Sequence, residues 1–281
     1  MRALILDADG KPELANVPEP EGNGVVRVLA CGRCGSDVEK LGRAAPGTVL
    51  GHEVAAALPD GPRVALVHHL PCGECERCLA GHESTCEDFR AATIEPGGFA
   101  ERVVARGGWV EIPDGVETAT GTYAEPLACV LRGAERVPRG DTLVLGGGFI
   151  GSLFAEVLRH RGDAVYVRDV DPARSGPEPE GAVGTVVVCA PGAGRDALEA
   201  VELGGTIVVF ADPGPIDLGG VYRRELTIVG SRSATPRHME QAAQLLSELD
   251  LPEPAVFPLA EFERGLEAYT SGQALKVVFT P

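Results

Sequence analysis

The stretch DTLVLGGGFIGSLFAEVLRHR, residues 141–161, decides the fold. Residues 141–145 form a short apolar run with the look of a buried strand. Three spaced glycines follow, Gly146, Gly148 and Gly151, and then an apolar helix over 149–161 that Phe149 and Ile150 open. Glycines at this spacing, between a strand and a helix, permit a tight turn. They also let the backbone come close to a pyrophosphate, which the helix N-terminus favours. A second strand is expected at 164–167, with Asp169 at its end. An acid at that distance suits the ribose hydroxyls of NAD and repels a 2′-phosphate, so NAD is expected over NADP. Arg168 and Arg174 lie close by and pull the other way.

Further apolar runs follow at 185–190, 206–211 and 226–229, with helical patterns at 195–203 and 236–249. Buried strands alternating with helices predict a parallel sheet, hence an α/β domain. The preceding part of the chain has another character. Residues 1–125 carry short β-type runs, at 25–29, 63–67 and 99–104, separated by Gly/Pro turns. A tail with a helix at 259–269 and a strand at 276–280 is expected to return to that first domain. The expected division is therefore 1–126 with 252–281 as one domain and 127–251 as the other. Residues 171–184, rich in Pro and Gly, read as a loop.

The bulk numbers exclude several classes. A formal charge of −16 over 281 residues argues against nucleic acid and anionic membranes as partners. The longest uncharged central stretch, 142–155, is too short to span a bilayer. The start has no basic region of the secretory kind. A cytoplasmic location is expected. Of the eight cysteines, four crowd into PCGECERCLAGHESTC. In a reducing compartment that spacing favours metal over disulfides.

Cys72, Cys75, Cys78 and Cys86 can close a tetrahedral zinc–sulfur shell of the structural kind. His82 lies among them and is read as a bystander. A second constellation is Cys34, in C-G-S-D, with Gly51-His52-Glu53. A thiolate, an imidazole and a carboxylate make a zinc site with a position open to a substrate oxygen. Cys31 is the rival ligand and reads instead as a small core side chain.

Taken in order, C-G-S-D, G-H-E, the four-cysteine lobe, G-G-F-A-E (97–101), A-E-P-L-A (124–128), G-x-G-x-x-G and A-L-K-V-V (274–278) resemble the zinc-containing medium-chain dehydrogenases. The sorbitol/threonine/polyol branch is the most similar. The resemblance implies a GroES-like, mostly-β catalytic domain and a Rossmann-type, doubly wound domain. It implies an NAD-linked dehydrogenase of small alcohols or polyols, with catalytic and structural zinc, working as a homodimer or homotetramer. Cys34 and His52 match catalytic zinc ligands. Glu53 matches the carboxylate beside them, and Glu125 one that binds zinc directly or through water. Ser36 matches the hydroxyl that passes the substrate proton outward, and Asp37 a residue behind the histidine.

Three departures stand out. Glu39 occupies the place of a relay histidine. The segment between Glu53 and Arg63 is short. The segment after Asp169 lacks a helix, a strand and a helix, so one sheet edge is expected to be missing. Two other readings stay open: a quinone or enoyl reductase of the same fold without catalytic zinc, and a non-catalytic dinucleotide-binding redox sensor.

Overall fold

The computed structural model describes residues 1–59, 61–90 and 93–281. It divides into two compact units. The first comprises Met1–Ala128, Ala234–Glu248 and Pro252–Pro281; the second comprises Cys129–Ser233 and Leu249–Leu251.

The first part of the chain supplies β1 (Arg2–Leu6), β2 (Pro12–Asn16), β3 (Val25–Gly32), α1 (Gly35–Lys40), β4 (Glu53–Ala57) and β5 (Arg63–Leu66). The four-cysteine lobe holds α2 (Glu76–Leu79). After it come β6 (Ile94–Glu95), β7 (Arg102–Ala105), β8 (Trp109–Glu111), α3 (Thr118–Gly121) and α4 (Ala124–Ala134). The second unit holds β9 (Asp141–Leu145), α5 (Phe149–His160), β10 (Ala164–Arg168), β11 (Val183–Val188), α6 (Gly194–Ala200), β12 (Val201–Val209), α7 (Leu218–Arg224) and β13 (Thr227–Gly230). Then follow α8 (Pro236–Leu245), β14 (Ala255–Pro258), α9 (Phe262–Thr270) and β15 (Val277–Thr280).

The first unit is the mostly-β one. Its main sheet runs β14-β15-β3-β4-β5-β8, and β7 pairs with both β3 and β6. The tail supplies two of these strands: β15 lies antiparallel to β3, and β14 parallel to β15. Alternating residues of β1, β3, β4 and β15 fill one core, with Phe99, Phe262 and Phe279 at its centre. Helix α8 belongs to this unit and touches β8.

The second unit is a parallel sheet of order β10-β9-β11-β12-β13 among the described residues. The doubly wound order 3-2-1-4-5-6 has one more strand beyond the second. β10 holds that second place and ends the sheet, so the strand absent from the sequence is an edge strand. The connection from β10 to β11 contains only a single 3₁₀ turn, Pro172–Arg174. Gly176 donates to Val167 O at 2.8 Å, so the shortened connection runs back along β10 and satisfies part of its edge.

The end of α6 differs from the sequence expectation. Helical periodicity extends to Leu203, but α6 stops at Ala200 and β12 begins at once. Val201 is fully buried and pairs with Val183, whereas Leu203 is 76% exposed. A further helical turn would have no apolar face to bury there. No helix among the described residues is long and apolar enough to cross a membrane.

Phe279 is a test of the first core. It is buried, with ring centroids of Phe262 at 4.7 Å and Phe99 at 5.7 Å. Phe279→Ala is expected to cost about 3–5 kcal/mol, seen as a lowered urea midpoint with the slope unchanged.

Candidate metal and dinucleotide sites

Strand register builds the first site. Gly32, the last residue of β3, lies opposite Glu53, the first of β4, and also opposite Val278 of β15. Three strand ends therefore converge: one leads into Arg33 and Cys34, one follows His52, and one follows Lys276. Gly32 leaves room for this. A Cβ on it would stand 2.2 Å from Glu53 Oε2, so a larger residue would displace the carboxylate from its place across the strand end.

Cys34 caps the N-terminus of α1. The ligand atoms of Cys34, His52 and Glu53 all lie within 4.8 Å of one another. Asp37 is buried on the same helix and braces the group. Its carboxylate accepts the N–H of Cys34 at 3.0 Å and of Gly51 at 3.3 Å, and it lies 3.6 Å from His52 Nδ1. That contact leaves the other ring nitrogen of His52 as the one that could ligate a metal, the usual arrangement for a ligating histidine.

Burial opposes charge on both partners. The contact with His52 nevertheless holds the Asp37 carboxyl below its ordinary range. Burial likewise favours neutral His52, but Asp37, Cys34 and Glu125 raise it well above its ordinary value. The groups that favour a proton there would favour a metal cation equally, so the donor set fits zinc.

Glu53 forms a buried ion pair with Lys276, whose Nζ also donates to Arg33 O at 2.9 Å. Glu125 opens α4 and is buried; its Oε1 lies 3.4 Å from His69 Nδ1. Ser36 is half-buried in the first turn of α1 and Glu39 is exposed beyond it. Cys31 is buried elsewhere. Its Sγ sits under Gly51 and Gly98, where an added Cβ would come within 2.7 and 2.6 Å of it, and burial pushes its thiol up.

His68, His69 and Lys276 escaped the sequence reading. The only local signal was the pair of histidines just ahead of Leu70-Pro71-Cys72. His68 stacks near His52, and burial together with His52 lowers it to about 3, so it is neutral at ordinary pH.

In the lobe, the thiols of Cys72, Cys75, Cys78 and Cys86 gather within 4.8 Å. Neighbouring sulfurs stand 3.5, 3.6 and 3.9 Å apart. A tetrahedron of 2.3 Å zinc–sulfur bonds has edges of about 3.8 Å, so the four fit one zinc. His82 is exposed.

The second unit forms the glycine turn. Gly146 has φ +102°, and a Cβ on Gly151 would fall 1.7 Å from Gly146 O. Gly148 begins α5 with open space where its side chain would be, and no side chain caps the helix. A helix N-terminus without a side-chain cap favours an anion such as a pyrophosphate. Phe149 is buried and Ile150 half-buried. Asp169 accepts the N–H of Gly147 at 2.7 Å and of Asp171 at 2.9 Å. Both arginines nearby are engaged: Arg168 grips Glu178 with Nε and Nη2, and Arg174 lies 3.4 Å from Asp171.

Comparison with known proteins decides the family. Residues 20–114 match the model of the alcohol dehydrogenase GroES-like domain. The D-altritol 5-dehydrogenase of Agrobacterium fabrum is 30% identical over 296 residues, covering 88% of each chain. The chain belongs to the medium-chain dehydrogenase/reductase family. It is an oxidoreductase of the alcohol dehydrogenase superfamily, related to the sorbitol, threonine and polyol dehydrogenases. The sorbitol dehydrogenase of Halalkalibacterium halodurans is 26% identical over 342 aligned positions, covering 100% of this chain and 99% of its own. Against 281 residues here, that alignment leaves some sixty positions that this medium-chain dehydrogenase lacks. Among solved structures, a Sinorhizobium meliloti 1021 protein bound to NADP superposes with a TM-score of 0.82 at 28% identity. The match covers 100% of this chain and 99% of that one.

The Glu53–Lys276 pair yields a direct test. Lys276→Met leaves Glu53 buried without its cation and is expected to cost about 3–5 kcal/mol in chemical denaturation. Adding Glu53→Gln should restore much of the loss. A Lys276→Met protein as stable as the parent would show that the pair does not hold the site.

Proposed function

We propose that this protein is a zinc-dependent dehydrogenase that moves a hydride between a secondary alcohol or polyol, or the corresponding ketone, and NAD. The observation that carries the reading is the gathering of Cys34, His52 and Glu53 within 4.8 Å, with Asp37 behind the histidine. Their donor types suit a zinc that keeps a position open. The relatives support the substrate class, since the similar proteins include a D-altritol 5-dehydrogenase and a sorbitol dehydrogenase.

Cys34 and His52 would hold the catalytic zinc, with Glu53 and Glu125 as its carboxylates, and the four lobe cysteines a structural one. Zinc, when bound, supplies Lewis acidity toward an alcohol oxygen, and NAD supplies the hydride acceptor. The chain's own groups do the rest. Asp37 orients His52 and keeps the α1 N-terminus in place. Ser36 receives the substrate hydroxyl proton and passes it outward. Glu39 is an acid where the resemblance implies a histidine, so the outer relay is either carboxylate-based or absent. Gly146, Gly148 and Gly151 offer backbone to the pyrophosphate, and Phe149 and Ile150 open the helix above it.

NAD over NADP is part of the proposal. Asp169 presents a carboxylate where a 2′-phosphate would come, and Arg168 and Arg174 are already paired with Glu178 and Asp171. The relative bound to NADP makes this the point to check. A cytoplasmic location agrees with the four lobe thiols gathering as a metal site of the kind a reducing compartment favours. A homodimer or homotetramer agrees with β13 ending its sheet and with exposed Leu203, Leu218 and Tyr222 in the same unit.

The test is Cys34→Ala, assayed on a panel of polyols with NAD. Turnover is expected to fall about a thousandfold or more, while NADH binding, followed by its fluorescence, stays unchanged. Full activity in that variant, with its zinc lost, would sink the proposal. Binding of NADH without turnover of any alcohol by the parent protein would favour the redox-sensor reading instead.

A further inference from the structure

Between the two cysteine-bearing sites runs a short ladder of rings, and two of its members, His68 and His69, have no part in either proposed zinc shell. His52 and His68 have centroids 4.7 Å apart, and His68 and His69 4.5 Å. His69 then stacks on Phe89 at 4.7 Å with only 3° between the planes. Phe89 is buried against Cys78 and Cys86, and so belongs to the core of the four-cysteine lobe. One end of the ladder is a candidate ligand of the first metal; the other is packed on the thiols of the second.

His69 also has a polar partner. Its Nδ1 lies 3.4 Å from Glu125 Oε1, and both side chains are largely buried. A carboxylate on a glutamate rotates about its last bond with little hindrance. An imidazole beside one of its oxygens removes that freedom, provided the ring itself cannot turn. The parallel stack on Phe89 supplies that condition, because rotating His69 would lose the stacking contact. Partners of this kind behind a metal ligand set its orientation and thereby the affinity of the site.

We propose that His69 is a positioning residue that orients Glu125 toward the metal held by Cys34 and His52, and that Phe89 ties this orientation to an intact four-cysteine lobe. The inference rests on the reading of Cys34 and His52 as metal ligands and adds a residue to it. It also gives the lobe a second task beyond folding: its core ring fixes a carboxylate of the other site.

The experiment uses the full chain. The more weakly held metal is exchanged for cobalt, and its d–d spectrum and its dissociation constant against a chromophoric chelator are measured. His69→Phe keeps a ring on Phe89 but removes the nitrogen. It is expected to weaken that site about 10–100-fold and to shift the cobalt spectrum, with the lobe metal and the melting temperature little changed. His69→Asn, which returns a nitrogen near the place of Nδ1, is expected to recover most of the affinity. Phe89→Leu keeps an apolar side chain among the cysteines and should shift the cobalt spectrum in the same direction as His69→Phe.

Affinity and spectrum unchanged in His69→Phe would overturn the positioning role. An equal loss in His69→Asn would overturn it too, because it would make His69 a ligand. An unchanged spectrum in Phe89→Leu would overturn the tie to the lobe. A parent protein that takes up only the lobe metal would instead overturn the underlying reading of Cys34 and His52, and the inference with it.

Discussion

Glu53 and Lys276 meet in the interior of the first unit, where neither can reach water. Lys276 also holds the carbonyl of Arg33, 243 residues away in sequence, immediately before Cys34. Two charges in such a place are costly to bury, and each is tolerable only while the other is present. The pair forms because β3, β4 and β15 are in one register, and it would be lost if any of them slipped by a residue. Gly32 leaves the room for it. The positions of Cys34, His52 and Glu53 are consequences of this one convergence of strand ends.

The two sites differ in how they are built, and this explains what could be read from the sequence. The four-cysteine lobe and the glycine turn are local. Their residues lie within a few positions of one another, and spacing alone states the geometry. Asp169 was legible for a similar reason, since one strand and one helix separate it from the glycines. Cys34 and Glu53 were legible only as short motifs in a recognisable order. What gathers them is pairing between distant strands, which spacing does not record.

The residues that escaped show the same limit. Lys276 was visible as part of a closing strand but not as the counter-charge of Glu53. His68 and His69 stood between two strong signals and were passed over, because their partners are His52, Glu125 and Phe89, from three other segments. Leu203 failed in the opposite direction. Helical periodicity continued through it, but the fold has no surface there to receive it, and Val201 pairs as a strand instead. The missing edge strand, by contrast, was legible as an absence: β10 ends the sheet, and the short return through Gly176 covers part of what would otherwise be an open edge.

The central claim is that two metals sit in this chain, one of them on the convergence of strand ends. Anomalous scattering at the zinc edge, from crystals soaked with NAD, tests it most directly. Two peaks per chain are expected: one among Cys72, Cys75, Cys78 and Cys86, and one bonded to Cys34 and His52. Dinucleotide density should follow Gly146 to Gly151. A single peak, confined to the four-cysteine lobe, would contradict the claim.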